Sequence, residues 1–354
     1  MEAVRWHAAG DVRLDEVELA LPLGPGMVEA EVAFTGICGS DVAEAKKPFA
    51  IRPGRVHPLS GQQPPLTLGH EFSAIVTAVG EGVENVKPGD RVSADACWRC
   101  NECEACVSGR YNLCHLGGSI GLSSDGAFAP LVRFPAYCAV PLPDAVSDEV
   151  GALLEPLAVG LHALNRGSAR AGERLVVIGY GPIGACTALV GRALGLTVIV
   201  VERHPGRRAR AEAEGFAVHD GGGEPRDVAR DIRGLTTVGS VAGAEIVVDC
   251  SGAVPALEAA LEMTTRGGRI VVAGIPKQPL PVDAGRMVVY ERSLHATLGY
   301  ANDLPRVAAM IAAGLLDPES MITRRIPLAE TPAELVRLGE DPGDDVKVLV
   351  EVGG

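Results

Sequence analysis

Four cysteines in one short stretch are the residues most clearly placed for chemistry. Cys100, Cys103, Cys106 and Cys114 stand as C-x2-C-x2-C-x7-C. Two intervening residues let successive sulfurs turn inward around one ion, and seven let the chain loop back to close a tetrahedron. A closed shell of four thiolates suits structural Zn²⁺, because no position is left for substrate. An iron–sulfur cluster or a redox dithiol is the competing chemistry. Cys97 lies three positions before Cys100, but using it would strand one of the other four thiols, so it reads as a bystander. Of the nine cysteines, Cys138, Cys186 and Cys250 sit in apolar or Ala-rich surroundings and read as small buried residues.

A second candidate set is dispersed along the chain. Cys38 lies in a Gly-bounded turn, Gly36-Ile-Cys-Gly-Ser-Asp41, after a strand-like stretch. His70 and Glu71 follow Gly69, and Glu155 stands in the otherwise apolar run Leu153-Leu-Glu-Pro156. Burying a carboxylate there is costly unless a cation compensates it. Folding must bring these residues together if they are to form an open metal site with three protein ligands.

A third motif is Gly179-Tyr-Gly-Pro182-Ile183-Gly184, a G-x-G-x-x-G loop. A strand-like run, Leu175–Ile178, enters it and an apolar helix-like run, Ile183–Leu194, leaves it. Glu202 ends the next strand-like run eighteen residues after Gly184, close to the ~20 expected of a dinucleotide fold. Gly179, Gly181 and Gly184 let the backbone approach a pyrophosphate at the helix N-terminus. Glu202 would accept hydrogen bonds from the ribose hydroxyls and repel a 2′-phosphate, which favours NAD over NADP. Arg203, His204, Arg207 and Arg208 follow at once and offer a cationic counterpart.

The elements that must position these motifs fall into two textures. Residues 1–150 are rich in short period-two stretches such as Val28–Phe34 and Phe72–Val79, with Gly and Pro between them. From residue 151 strand-like and helix-like runs alternate, as in βαβ units on a parallel sheet. Further strand-like runs are Thr197–Val201, Glu245–Asp249 and Arg269–Ala273, and Gly221–Gly223 reads as a flexible surface turn. Arg306–Leu316 is helix-like and Val346–Val352 strand-like. These textures divide the chain near residue 150.

With these motifs in place, the chain resembles the zinc-dependent medium-chain dehydrogenase family from end to end. Glu155 stands where ordinary alcohol dehydrogenases carry a second cysteine ligand, as in the polyol, threonine and butanediol branch. His57-Pro-Leu-Ser-Gly61, Leu68-Gly-His-Glu-Phe-Ser73, Tyr111-Asn-Leu-Cys114 and Gly151-Ala-Leu-Leu-Glu-Pro156 look most like 2,3-butanediol dehydrogenases. The resemblance implies an α/β protein with an irregular β-rich, GroES-like catalytic domain over 1–150, which carries a lobe at about 95–115. It also implies a doubly wound Rossmann cofactor domain over 151–297 and a return to the first domain over 298–354. It implies catalytic zinc on Cys38 and His70 with Glu71 and Glu155 as carboxylates, two zinc ions per chain, and Arg207 near the adenosine ribose. Asp41 would orient His70, or cap its own turn. Ser40 would carry the hydroxyl proton outward. The histidine that continues this relay in many relatives is replaced by Ala43, and His57 shapes its loop or stands in for it.

The expected activity is hydride transfer between NAD and a small secondary alcohol, diol or polyol and its ketone, of the 2,3-butanediol/acetoin type. A cyclitol, sugar-alcohol or threonine dehydrogenase on the same scaffold is the alternative. A nucleotide-binding protein without turnover is a third reading, opposed by the intact Cys38, Ser40, His70 and Glu155. A net charge of −13 argues against nucleic acid or anionic membrane as partner. No apolar run approaches ~18–20 residues and no secretory signal is visible, so a cytoplasmic protein is expected; a homodimer or homotetramer is expected as its assembly.

Overall fold

Alternation of buried and outward residues builds the first half of the molecule. In the computed structural model, which describes residues 1–18 and 22–353, Val28, Ala30 and Val32 on the strand Met27–Gly36 are fully buried. That strand is the hub of a seven-stranded sheet. It runs antiparallel to Glu71–Val79 with Gly36 opposite Glu71, and antiparallel to Leu131–Pro135. Arg91–Ala94 and Ala139–Pro141 extend the sheet beyond Glu71–Val79. A three-stranded sheet, formed by Glu2–Ala8, Asp11–Glu16 and Leu66–Thr67, lies beside it. Between the short paired strands Cys97–Trp98 and Gly118–Ser119, the chain makes the excursion that carries the four cysteines.

The last strands rejoin this sheet from the far end of the sequence. Lys347–Glu351 pairs antiparallel with Met27–Gly36, placing Leu349 opposite Gly36, and pairs in parallel with Ile322–Pro327. Gly36 is therefore flanked by Glu71 on one side and by Leu349 on the other, two residues beyond Lys347.

The second sheet has six strands, all parallel: Arg174–Ile178, Thr197–Glu202, Ala217–Asp220, Ala244–Asp249, Thr264–Val272 and Ser293–Ala296. Their spatial order is third, second, first, fourth, fifth, sixth, the doubly wound Rossmann arrangement. The near-continuous apolar runs of its central strands follow from burial on both faces. Strand order reverses between Arg174–Ile178 and Ala244–Asp249, so a crevice opens beyond their carboxyl ends, where the Gly179–Gly184 loop lies. The fifth strand begins earlier than the apolar run Arg269–Ala273 indicates. Thr264 pairs with Ala244 and Arg269 with Ile246, so the glycine-bearing stretch between them is absorbed as a bulge.

The helix Leu154–Arg166 lies within the core that joins the halves. Leu157, Leu161 and Leu164 are fully buried there with Leu189 of the helix Pro182–Ala193, Val177 and Leu349. Glu155 enters this core on the first turn of that helix. Among the described residues no helix is long and apolar enough to cross a membrane.

Candidate active site

Two strand ends converge on one point. Cys38 leaves the strand Met27–Gly36 and caps the helix Gly39–Lys46, while His70 and Glu71 open the strand Glu71–Val79. A thiol, an imidazole nitrogen and a carboxylate oxygen from Cys38, His70 and Glu71 lie within 4.8 Å of one another. Asp41 serves both expected ends. Its Oδ2 accepts the Cys38 backbone N–H at 2.9 Å, and its Oδ1 lies 3.5 Å from His70 Nδ1. That leaves His70 Nε2 for the site, with Ser40 Oγ 3.2 Å away. Burial opposes a charge on His70, yet the neighbouring Asp41 carboxylate and Cys38 hold its pKa well above the usual imidazole value.

The two carboxylates have unlike surroundings. Glu71 Oε2 accepts from Lys347 Nζ at 2.5 Å, and both side chains are fully buried. Glu71 Oε1 is buried without a hydrogen-bond partner. Glu155 lies beyond the 4.8 Å cluster, close enough to feel the charges of His70, Glu71 and Lys347 and to meet the Tyr300 phenol. Burial pushes its pKa up to about 7; the His70 charge opposes this and the Glu71 charge reinforces it. Sulfur, nitrogen and an unsatisfied carboxylate oxygen around one point suit a zinc ion with an open coordination position.

The four-cysteine lobe is equally compact. Cys100, Cys103, Cys106 and Cys114 present sulfurs within 4.8 Å of one another, and all nine cysteines are free. Backbone N–H groups also point at these sulfurs, among them Cys103 to Cys100 at 3.4 Å and Cys100 to Cys114 at 3.5 Å. The Cys106 backbone N–H lowers Cys103 to about 5, while burial and the Cys103 thiol raise Cys106 to about 12, so these two neighbouring thiols compete for a proton. A dication removes that conflict by taking four thiolates. Arg99 fastens the lobe to the sheet: its guanidinium pairs with Asp95 at 3.0 Å and lies over the rings of Tyr111 at 4.0 Å and Tyr137 at 4.5 Å.

At the Rossmann crevice, a cleft of about 440 Å³ is lined by Gly179, Gly181, Glu202, Arg207 and Cys250 among others. A Cβ on Gly184 would stand 1.9 Å from the Gly179 carbonyl oxygen, so the turn itself demands glycine there. At Gly181 a Cβ would meet only Arg207, 3.6 Å away. The bare backbone at Gly181 thus leaves an open cradle at the first turn of Pro182–Ala193, fit for a pyrophosphate. Glu202 accepts the Tyr180 N–H at 2.6 Å and the His204 N–H at 2.7 Å, which fixes its carboxylate at the cleft wall. Arg208 is taken up by Asp220 at 2.9 Å. Arg207 lines the cleft, donates to the Asp345 carbonyl at 3.3 Å and keeps a buried, unpartnered Nε.

Several residues fall differently from their sequence reading. Gly221 and Gly223 line the nucleotide cleft, so that turn is a wall of the site as well as a surface turn. Cys138 and Cys186 are buried, but Cys250 is half-buried and faces the same cleft. His57 shapes its loop: its ring accepts the Leu59 and Ser60 N–H groups at 3.4 Å each and meets the Gly117 carbonyl. Sequence reasoning missed Lys347 and Tyr300. A lone lysine inside the apolar run Val346–Val350 was the available signal for the first. Nothing in the sequence marked Tyr300.

Two clusters of potential metal donors in a β-rich domain, joined to a Rossmann sheet with its crevice, are the features of a zinc-type dehydrogenase fold. Residues 24–144 match the family model described as the alcohol dehydrogenase GroES-like domain, and residues 182–313 that described as zinc-binding dehydrogenase. The (R,R)-butanediol dehydrogenase of Bacillus subtilis is 33% identical over 353 residues, 99% of each chain. Rattus norvegicus sorbitol dehydrogenase is 33% identical over 328 residues, 91% of this chain and 88% of its own. Among solved structures, 2R,3R-butanediol dehydrogenase from Bacillus subtilis matches with a TM-score of 0.91 at 32% identity, covering 99% of both chains. A protein from Sinorhizobium meliloti 1021, described as a zinc-binding dehydrogenase and solved with NADP bound, gives 0.88 at 30% identity over 99% of this chain and 98% of its own. The chain belongs to the zinc-dependent medium-chain dehydrogenase family, and it is an enzyme.

Proposed function

We propose that this enzyme oxidises small vicinal diols and reduces the corresponding hydroxyketones, of the 2,3-butanediol/acetoin type, with NAD(H). The convergence of Cys38, His70 and Glu71 on one point, with Glu71 Oε1 unsatisfied, carries the reading. End-to-end similarity to two (R,R)-butanediol dehydrogenases supports the substrate class. Sorbitol dehydrogenases at similar identity favour longer polyols as the second reading.

In this proposal Cys38, His70 and Glu71 hold the catalytic zinc, Glu155 stands by as the exchangeable carboxylate, and Cys100, Cys103, Cys106 and Cys114 hold a structural zinc. When bound, zinc supplies Lewis acidity at the substrate oxygen and the nicotinamide accepts or gives the hydride. Asp41 fixes the His70 ring so that Nε2 faces the site. Ser40, beside that nitrogen, can both accept and donate a proton and so passes the hydroxyl proton outward. Gly181 and Gly184 admit the pyrophosphate, with Pro182 and Ile183 opening the helix behind it. Glu202 binds the adenosine ribose hydroxyls and disfavours a 2′-phosphate, and Arg207 flanks that sugar. The exposed apolar residues Val288 and Val289, beside the edge strand Ser293–Ala296, support a homo-oligomer.

The test is NAD⁺ reduction across a panel of diols, polyols, cyclitols and threonine, with and without chelator. Chelator-sensitive turnover fastest on a vicinal diol is the expected result. Preference for sorbitol selects the second reading, and turnover indifferent to chelator overturns both.

A further inference from the structure

Lys347 and Glu71 are both fully buried. An ammonium group without solvent must find its partners inside the fold, and Lys347 Nζ finds two. It donates to Glu71 Oε2 at 2.5 Å and to the Ile37 carbonyl at 3.1 Å. One acceptor lies just past the strand Met27–Gly36 and the other opens the strand Glu71–Val79, the two strands that deliver the proposed ligands. Ile37 immediately precedes Cys38, and Glu71 immediately follows His70. Gly36 closes the other side, for it stands opposite Glu71 in the ladder and a Cβ there would come within 2.2 Å of Glu71 Oε2. One oxygen of Glu71 is thus boxed between an ammonium and bare backbone, and only Oε1 is left unpartnered.

We infer that Lys347 is a positioning residue for the catalytic metal: by pinning Oε2 it presents Oε1 alone to the ion and sets the spacing between the Cys38 and Glu71 strands. The inference rests on Glu71 being a zinc ligand. A merely structural ion pair would stabilise the sheet and leave the metal's surroundings unchanged. A positioning pair governs how tightly the ion is held and how it is coordinated, since groups that orient ligands typically alter metal affinity by about 10–100-fold.

The experiment uses the full-length, metal-replete protein and reads the rate at which each ion passes to a chromogenic chelator. The visible spectrum after cobalt replaces the catalytic ion is the second readout, and the four-cysteine ion serves as internal reference. Lys347→Met and Gly36→Ala should each release one ion about 10–100-fold faster than the unmodified protein and shift the cobalt bands, with the second ion unaffected. Lys347→Arg, which keeps the charge with a different reach, should fall between. The double variant Glu71→Gln/Lys347→Met removes both buried charges together and should lose the same ion. If that double variant keeps its ion as tightly as the unmodified protein, Glu71 is no ligand and the site reading falls together with the inference. If it loses the ion while Lys347→Met, Lys347→Arg and Gly36→Ala leave release rate and spectrum unchanged, the positioning role alone is overturned. Should Lys347→Met not fold, Lys347→Arg and Gly36→Ala decide the question by the same two readouts.

Discussion

Asp41 divides its carboxylate between two residues: one oxygen accepts the Cys38 backbone N–H at 2.9 Å while the other lies 3.5 Å from His70 Nδ1. A single buried side chain therefore sets both the turn that offers the thiol and the face of the imidazole turned to the site. Asp41→Ala should lower affinity for one of two zinc ions by about 10–100-fold, the usual effect of losing a group that orients a ligand. Competition against a chelator of known affinity measures it. Unchanged affinity would leave Asp41 a turn residue only.

On the proposed reading the two ligand sets should hold about two zinc ions per chain, and their loss should have different consequences. Cys103→Ser should lower the unfolding temperature, because a structural ion is coupled to folding. Cys38→Ser should leave a folded, NAD-binding protein with little turnover. Elemental analysis, thermal melts and nucleotide titration separate the two. A Cys38→Ser protein that is unfolded beside a fully active, thermally unaltered Cys103→Ser protein contradicts the assignment.

Glu202 holds two backbone N–H groups and faces the cleft, so its replacement removes a charged acceptor from the ribose position. Glu202→Ser should weaken NAD binding about tenfold or more, the scale of hydrogen bonds to a charged group, and relax discrimination against NADP. Fluorescence titration with both nucleotides reports this. Faster turnover of the unmodified enzyme with NADP⁺ than with NAD⁺ at equal concentration refutes the role given to Glu202.

Metal-free protein should show a pH-dependent stability that traces to Glu155. Burial raises this carboxyl to about 7 from its ordinary 4.5. Between those values the folded chain retains a proton that the unfolded chain has released. The stability linked to Glu155 is therefore fully present below pH 4.5 and is lost as pH rises through about 7. Thermal melts of the chelated protein should fall between about pH 4.5 and 7, the interval these two pKa values bracket, and Glu155→Gln should flatten that fall. An identical slope in the variant removes Glu155 as its source.

With Ala43 in place of the relay histidine, proton exit should depend on Ser40, which lies 3.2 Å from His70 Nε2. Ser40→Ala should reduce alcohol oxidation by about two orders of magnitude, the scale of one general acid–base contribution, with zinc content intact. Ala43→His should introduce or shift a pH dependence between about 6 and 8. Near-full turnover of Ser40→Ala, where a solvent isotope effect shows proton transfer to be limiting, would mean another exit.

Much of this molecule was legible as pattern. The four-cysteine spacing, the glycine loop with Glu202, and the alternating runs of the parallel sheet all act through neighbours close in sequence. Residues that act through distant pairing were silent. Lys347 meets Glu71 only because the last strand adds to the first sheet, and Tyr300 reaches Glu155 only from the far end of the Rossmann sheet. The Gly221–Gly223 turn looked like surface because a cleft wall has no local signature. Asp41 was visible as a candidate, but its division between turn and imidazole was not.

The Glu71–Lys347 pair also sets an order of events during synthesis. Its members are 276 residues apart, so at ordinary elongation rates of about 5–20 residues per second the ribosome takes on the order of tens of seconds to go from one to the other. Throughout that interval Cys38, His70 and Glu71 have already been made, while the ammonium that braces the carboxylate has not. The Glu71 carboxylate therefore acquires its buried cationic partner only after the last strand has joined the sheet.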